Sequence, residues 1–238
     1  MRIKKVSRRD ALGLLGLGGA ALSLGCGSDS STTPTATTGT TTTGGSNTSG
    51  ACAVTPTETI GPYPSLTNFV RSDIREGRSG LPLTLTITIV NSNSSCSPVA
   101  NAAVDIWQCD AEGHYSEYAQ PGYNGTGQTF LRGIQTTDAT GRVTFTTVFP
   151  GWYSGRATHI HVEVKVNNSV VKVTQIAFEE SIITAVYATG VYASKGRNPT
   201  SNAGDMVFAD SLSSETATIT GGDATNGYAA AFTVSINS

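Results

Sequence analysis

The chain has 238 residues, with 15 Lys or Arg and 17 Asp or Glu, so its formal net charge is −2. This length is sufficient for one domain with a well-formed hydrophobic core. The weak negative charge argues against nucleic acid as a partner.

Residues 1–26 have the features of an export signal. A basic stretch through Arg9 precedes an apolar run from Ala11 to Gly25, which is too short for a membrane span. Ser7–Asp10 resembles a twin-arginine signal, and the run ending at Cys26 resembles a lipoprotein cleavage box. We therefore expect a periplasmic or extracellular protein, anchored to a membrane where Cys26 carries a lipid. Without a lipid, Cys26 would be a spare thiol in the removed peptide.

Residues 27–50 consist almost entirely of Ser, Thr and Gly. Such a segment buries too little apolar surface to offset its ordering entropy, so we expect a flexible tether. Residues 51–238 then form a single folded domain. The part of the chain after residue 26 has 10 basic and 16 acidic residues, a net charge of −6, which strengthens the argument against nucleic acid.

The domain is predicted to consist of β-strands separated by turns. In Leu83–Val90, apolar and hydroxyl residues alternate with a period of two, the pattern of a half-buried strand. No segment has the apolar spacing of a long amphipathic helix. We therefore predict an all-β sandwich with few or no long helices. The predicted strands are 83–90, 103–107, 142–148, 158–166, 170–178, 216–219 and 229–236.

Three cysteines, Cys52, Cys96 and Cys109, lie in this domain, and export permits a disulfide. Cys96 lies in a turn and Cys109 at the far end of the next strand. At roughly 3.3 Å per residue, these two are too far apart to bond. Cys52 can pair with either of them, and the sequence does not choose between the two pairings.

His159 and His161 are two of only three histidines in the chain. A strand directs residues i and i+2 to the same face, so the two imidazoles form half of a metal site. Tyr115, just past the Trp107 strand, and Tyr153, just before the histidine strand, lie at strand ends and are candidates for the other half, because a trivalent cation favours the phenolate. Two phenolates and two neutral imidazoles would leave Fe(III) with one net positive charge and an open coordination position.

Several motifs, in order along the domain, resemble those of the intradiol ring-cleaving dioxygenases, which include catechol 1,2-dioxygenase and protocatechuate 3,4-dioxygenase. The resemblance covers nearly everything after the tether and implies the β-sandwich fold of that family. The matching segments are Thr57–Tyr63, Asp105–Ser116, Leu131–Gly133, Thr137–Asp138, Gly141, Pro150–Tyr153, Arg156, His159–His161 and Thr174–Ile176.

The resemblance implies that Tyr115, Tyr153, His159 and His161 bind a non-haem Fe(III). It implies that Arg156 stabilises charge on the bound substrate, a role that suits a permanently charged guanidinium. The family reaction inserts both atoms of O2 between the two hydroxyl-bearing carbons of a catechol and gives a cis,cis-muconate-type diacid. By the same analogy, Tyr153 is the ligand that the substrate displaces.

Gln175 matches a family residue near the same pocket, and we expect Tyr63 and Trp107 to contact the substrate. The expected partners are therefore a small aromatic diol and O2. Only Ser154 and Gly155 separate Tyr153 from Arg156, a shorter loop than in the best-known members, so we expect a more open pocket. The sequence allows a homo-oligomer and does not identify the ring substituents of the substrate.

Two other interpretations remain open at this point. Pro98–Val104 and Asp138–Val143 also resemble metal-free sandwich modules of the transthyretin-like or adhesin type, which act in binding or as cell-surface spacers. The set of four ligands separates the enzyme from such a module, because the fold alone cannot. A copper or zinc site is disfavoured by the two tyrosines, because borderline metals prefer nitrogen and sulfur donors.

Overall fold

The computed structural model of the protein describes residues 52–237. The predicted export signal at 1–26, with Cys26, and the predicted tether at 27–50 lie outside the described residues. The domain boundaries therefore stay predictions.

Eleven strands and three short helices make up the described part of the chain. The strands are β1 (Pro82–Asn91), β2 (Ser97–Pro98), β3 (Ala103–Trp107), β4 (Ala119–Gln120), β5 (Tyr123–Asn124), β6 (Arg132–Thr136), β7 (Arg142–Val148), β8 (His159–Val166), β9 (Ser169–Ala177), β10 (Thr218–Asp223) and β11 (Gly227–Ile236). The helices are α1 (Glu180–Tyr187), α2 (Gly190–Lys195) and α3 (Leu212–Glu215), with 3-10 turns at Ser92–Ser94 and Asn202–Gly204.

The first sheet is built around β1. This strand pairs in parallel with β11 and antiparallel with β7 and β2, while β10 extends the sheet beyond β11. The alternation predicted for β1 is observed, because Leu83, Leu85, Ile87 and Ile89 are all buried and the hydroxyl residues between them point outward. Full burial of each such side chain contributes about 1.5–3 kcal/mol, so this face anchors the core.

The second sheet carries the predicted metal ligands, and we call it the site sheet. Its strand order is β6, β3, β8, β9, and neighbouring strands are antiparallel. On β8, Ile160, Val162 and Val164 face inward and join the same buried apolar cluster as the β1 side chains. Because neighbours on a strand face opposite ways, His159 and His161 lie on the outer face of the site sheet.

The prediction of an all-β sandwich with few helices is confirmed, and most of the predicted strands match. Two differences have local causes. Strand β6 was not predicted, because Arg132-Gly133 interrupts its apolar pattern. Thr216 does not start β10: it bridges to Ala177 on the site sheet, and the chain then crosses to the other sheet to form β10 from Thr218.

The open question about the disulfide is answered by the structure. Cys52 is bonded to Cys96, with their Cα atoms 5.6 Å apart, and Cys109 is a buried free thiol. The bond fixes the start of a segment that we call the N-terminal strap, residues 52–66. Along the strap, the Thr55 amide donates to the Ser235 carbonyl at 3.0 Å and the Glu58 amide to the Val173 carbonyl at 2.9 Å. The strap thereby reaches the outer face of the site sheet.

Among residues 52–237, no helix is both long enough and apolar enough to cross a membrane.

Candidate metal centre

The centre is built on one row of cross-strand neighbours. Across the site sheet, Arg132 on β6 lies opposite Trp107 on β3, which lies opposite His161 on β8, which lies opposite Gln175 on β9. Directly opposite residues share a face, so all four side chains project outward together. All four are buried, because the N-terminal strap and the neighbouring loops cover this face.

The two histidines converge through the same kind of ring nitrogen. The Nε2 atoms of His159 and His161 are 3.1 Å apart, and the Nδ1 of His159 lies 2.6 Å from the Ala157 carbonyl. A carbonyl can only accept, so the His159 hydrogen sits on Nδ1 and leaves an Nε2 lone pair facing His161. Burial, aided by the Arg156 charge, lowers the pKa of His159 to about 3, and burial lowers the pKa of His161 well below its usual value. Both rings are therefore neutral, the state that binds a metal.

Two tyrosines complete the cluster. The Tyr115 hydroxyl is 3.5 Å from the His159 Nε2, and the Tyr153 ring centre is 5.6 Å from that of His159 and 5.8 Å from that of Tyr115. Burial raises the pKa of Tyr115 well above its usual value and also raises the pKa of Tyr153. In the protein alone, both phenols keep their protons, so a phenolate here requires a nearby cation.

The backbone that presents these tyrosines consists of two loops in close contact. The Gly151 amide donates to the Asp110 carbonyl at 3.1 Å, and a Cβ on Gly151 would collide with that oxygen. Gly113 has φ +87° and packs against the Trp152 carbonyl, where a side chain has no room. The Tyr115 amide is held by the Gln120 side chain at 2.6 Å. The two glycines let the loops approach each other closely, and the loop contacts together position both tyrosines.

The donor set fits a metal ion. An Nε2 separation of 3.1 Å matches two ligands on one ion with metal–nitrogen bonds of roughly 2 Å. The His161 Nδ1 is buried and has no hydrogen-bond partner among residues 52–237, so this ring is not committed to a competing network. Two neutral nitrogens and two phenols form a set that a hard, highly charged cation would convert to two phenolates.

Arg156 is held at the edge of this cluster by two partners. Its Nε donates to the Asp205 carboxylate at 2.9 Å, and one Nη donates to the side-chain oxygen Oε1 of Gln175 at 2.6 Å. Asp205 is buried and also accepts from the Ala157 and Val207 amides, and these hydrogen bonds lower its pKa despite burial. The guanidinium, with five N–H donors, keeps others free to meet a ligand. No motif pointed to Asp205, which lies in an irregular segment 49 residues from Arg156.

The N-terminal strap closes over the cluster. The Gln175 side-chain amide donates to the Thr59 carbonyl at 2.9 Å, which places Gly61 directly above His161. Gly61 has φ +75°, and a Cβ there would lie 2.8 Å from the His161 Cε1. Two residues further, the Tyr63 ring centre is 4.8 Å from that of Tyr115 and 6.0 Å from that of Tyr153. The strap therefore contributes Tyr63 to the wall of the site.

The prediction for Trp107 needs correction. Its side chain is 1% exposed and stacks on the His161 ring, with centres 5.0 Å apart and planes 5° apart. Because it lies beside His161 in the row, it supports the imidazole and has no surface left for substrate. Tyr63, by contrast, is only partly buried and borders open space.

A cavity of about 500 Å³ opens beside the cluster. Tyr63 and Tyr153 form its inner end, and Trp152 and Lys195 form part of its wall. His114, for which the sequence suggested no role, also lines it and stacks on Tyr123. The cavity gives a small molecule access to Tyr153, whereas Tyr115 is completely buried.

Asp110, Glu112 and His114 form another group of potential metal ligands, with their donor atoms within 4.8 Å of one another. Asp110 is already engaged, because one carboxylate oxygen accepts from the Glu112 and His114 amides and the other pairs with Arg78 at 3.4 Å. We therefore interpret this group as the framework of the loop that carries Tyr115.

Comparisons with known proteins agree with this architecture. A family model described as dioxygenase matches residues 64–196. The structure of an intradiol ring-cleavage dioxygenase from Tetranychus urticae has 31% sequence identity and a TM-score of 0.73, over 78% of this chain and 95% of that one. The dioxygenase domain of a carbohydrate-binding fusion protein from Streptomyces sp. SirexAA-E has 25% identity and a TM-score of 0.59, over 78% and 99%.

The structure of 3-chlorocatechol 1,2-dioxygenase from Rhodococcus opacus 1CP shares the fold at 19% identity and a TM-score of 0.53, over 77% of this chain and 72% of that one. The comparison with curated protein sequences found no match.

Proposed function

Because the chain belongs to the intradiol ring-cleavage dioxygenase family, we propose that it is a non-haem Fe(III) enzyme acting on a catechol-type ring. It uses O2 to cleave the ring between the two hydroxyl-bearing carbons and yields a cis,cis-muconate-type diacid. The observation that carries the proposal is the convergence of the His159 and His161 Nε2 atoms with the Tyr115 hydroxyl, next to Tyr153 and an accessible cavity.

The proposed ligands are Tyr115, Tyr153, His159 and His161. Bound Fe(III) would withdraw electron density from the substrate diolate, so that a ring carbon becomes reactive toward O2. The protein supplies a water-poor surrounding for the ligands, because Tyr115 and both histidines are buried. Charge interactions in such a site are stronger than in water.

The two tyrosines have different roles in this proposal. Tyr115 is completely buried and holds its position through its backbone contact with Gln120. Tyr153 is partly exposed and borders the cavity, so a substrate hydroxyl can approach it. Its phenolate oxygen is the base that takes a proton from that hydroxyl.

Arg156 stabilises the negative charge that the substrate oxygens carry during the reaction. Its two anchors, Asp205 and Gln175, fix the guanidinium so that no reorganisation is needed as charge develops. Gln175 also donates to the Thr59 carbonyl, so it links Arg156 to the N-terminal strap. The position of Arg156 relative to the strap is thereby fixed.

The test combines metal analysis with an aerobic ring-cleavage assay over a panel of catechols. We expect bound iron, a red to burgundy colour from tyrosinate-to-iron charge transfer, and a muconate-type product. Arg156→Ala should keep the iron and lose turnover by about 10²–10³-fold, the usual cost of removing one charge-stabilising donor. The exposed Arg197 provides the control, since Arg197→Ala should change neither property.

Unchanged kinetics in Arg156→Ala would refute its role, and a colourless protein fully loaded with iron would refute the ligand set. A protein that takes up no iron and forms no product would favour the metal-free binding module.

We also propose that the enzyme works outside the cytoplasm. The Cys52–Cys96 disulfide supports this location, since such bonds persist in oxidising compartments. In fractionated cells, the full chain should follow the membrane, and a Cys26→Ser variant should move to the soluble exported fraction. A reduced protein retained in the cytoplasm would contradict the proposal.

A further inference from the structure

We propose that Lys195 recognises an anionic group on the substrate, so that the preferred substrate is a catechol with a short side chain ending in a carboxylate. The inference rests on the proposed ring-cleavage function and names the class of substrate for that site. It follows from the size of the cavity, the position of Lys195 and the wall that leads to it.

The cavity beside Tyr153 is larger than a bare diol requires. Its volume of about 500 Å³ lies within the roughly 300–1,000 Å³ of pockets that hold drug-sized ligands. The diol must lie at the inner end, beside Tyr153 and Tyr63, where the proposed metal ligands converge. The outer part then remains for a ring substituent.

Lys195 is held in the wall of this outer part. It is the last residue of α2, its ammonium donates to the Glu112 carbonyl, and it lies 4.6 Å from the centre of the Trp152 ring. The space for the ammonium exists because residue 113 is glycine, and a Cβ there would collide with the Lys195 Nζ. The position of the charge is therefore defined by the Glu112 carbonyl and the Trp152 ring.

The ammonium has unused hydrogen-bonding capacity. It carries three N–H donors, and the Glu112 carbonyl is the one acceptor it meets among residues 52–237. Lys195 is only partly exposed, and this burial lowers its pKa because the ammonium is shielded from water. A carboxylate that reaches it would restore the lost solvation with a charge-assisted hydrogen bond.

Glu112 brings an opposite charge to the same cavity, but its carboxylate is less suited to recognise a ligand. Its side chain is 66% exposed, and its carboxylate lies 3.8 Å from the His114 ring. Water screens such a group strongly, whereas Lys195 is partly buried and fixed. An anionic substituent is therefore favoured over a cationic one.

Trp152 connects the two ends of the cavity. It directly precedes Tyr153 in the chain, and its indole nitrogen is fixed by the Gly196 carbonyl at 3.0 Å. A side chain of a few carbon atoms can follow this apolar wall from the ring to Lys195. The short Ser154–Gly155 loop leaves this path open, since both residues are exposed.

The test compares Lys195→Met with the iron-loaded unmodified enzyme on four diols: 3,4-dihydroxyphenylacetate, 3-(3,4-dihydroxyphenyl)propanoate, 4-methylcatechol and dopamine. We expect the unmodified enzyme to prefer the two acids. Lys195→Met should raise KM for the acids about tenfold with little change in kcat, and should leave 4-methylcatechol unaffected. Lys195→Arg should recover most of the loss. Lys165→Met, on the far end of β8, is the control and should change nothing.

A preference for dopamine, or an equal effect of Lys195→Met on 4-methylcatechol and the acids, would overturn the inference while ring cleavage itself stands. Binding of the same acids, followed by tryptophan fluorescence, gives an independent readout. If no diol is cleaved but Lys195→Met still weakens acid binding about tenfold, the proposed ring-cleavage reaction is refuted, whereas the proposed anion site at Lys195 is supported.

Discussion

The two sheets of the sandwich share one apolar interior but have different outer faces. On the β1 sheet, the outward residues are mainly threonines such as Thr84 and Thr86, and the Thr86 hydroxyl pairs with that of Thr144 at 3.1 Å. On the site sheet, the corresponding outward row includes a buried arginine, Arg132, and a buried histidine, His161. One face is open to water and the other is covered by protein.

This difference explains where chemistry is found in the molecule. A polar group on an open face is satisfied by water, so hydroxyls are sufficient there. On a covered face, each polar group needs a protein partner or a bound ligand, because an unpaired buried group costs about 1–3 kcal/mol. Because the strap and the neighbouring loops cover this face, the side chains of the row have fixed positions and perturbed pKa values.

The largest expected effect is a difference in stability between variants of two arginines, one on each sheet. Arg132 has no exposed side-chain surface, lies 3.2 Å from the Glu117 carboxylate and donates to the Tyr63 and Ser116 carbonyls. Arg132→Met removes the cation beside the Glu117 carboxylate, which keeps only its hydrogen bonds from the Leu66 amide and the Thr67 hydroxyl. We therefore expect the free energy of unfolding to fall by about 3–5 kcal/mol. Arg142→Met, on the open face of β7, should change it by less than about 0.5 kcal/mol.

Urea unfolding of both variants measures this contrast. Similar losses for Arg132→Met and Arg142→Met would mean that a charged side chain on the covered face contributes no more to the free energy of unfolding than one on the open face. Because Arg132 holds the strap at Tyr63, its variant should also lose the tyrosinate colour before it unfolds.

The sandwich was predictable because alternation with a period of two marks the inward face of a strand whatever covers the other face. The same pattern cannot say whether the outward face meets water or protein. His159 and His161 were recognisable from their spacing and their motif. Asp205 and Lys195 were not, because each reaches the site from an irregular segment or a short helix far along the chain, and only the folded chain places them there.

A pair of glycines tests how closely the strap fits the site sheet. Gly61 and Gly77 have nearly the same backbone conformation, with φ +75° and +72°. A Cβ on Gly61 would meet the His161 ring, whereas a Cβ on Gly77 would meet nothing within 4 Å. Both alanine variants should lose about 1–2 kcal/mol of stability from the left-handed conformation. Only Gly61→Ala should also weaken iron binding or turnover, by roughly 10–100-fold.

Iron content, colour and ring-cleavage rate are measured beside thermal unfolding. Together they separate the loss of stability from the loss of iron binding or turnover. If Gly61→Ala and Gly77→Ala have the same activity, the strap does not position His161, and its contact with the ring has no functional consequence.

The most gradual expected effect, spread over several pH units, is a pH dependence confined to the covered face. Asp105 lies on β3, under Ser65 of the strap and opposite Glu163 on β8. Burial, opposed by the Ser65 hydrogen bond, raises the pKa of Asp105 to about 7. Between about pH 4 and pH 7, the folded state therefore holds a proton that the unfolded chain has released.

The free energy of unfolding must then fall as the pH rises through this window, by at most about 1.4 kcal/mol per pH unit. Asp105→Asn cannot lose a proton, so the difference in stability between variant and unmodified protein should grow in favour of the variant from pH 4 to pH 7. Asp223 on β10 is the matched control, because hydrogen bonds from Asn226 lower its pKa and keep it charged throughout this window. Asp223→Asn should therefore give a flat difference from pH 5 to pH 7. A flat difference for Asp105→Asn as well would mean that water reaches Asp105, and that the strap covers the site sheet less completely at β3 than at His161.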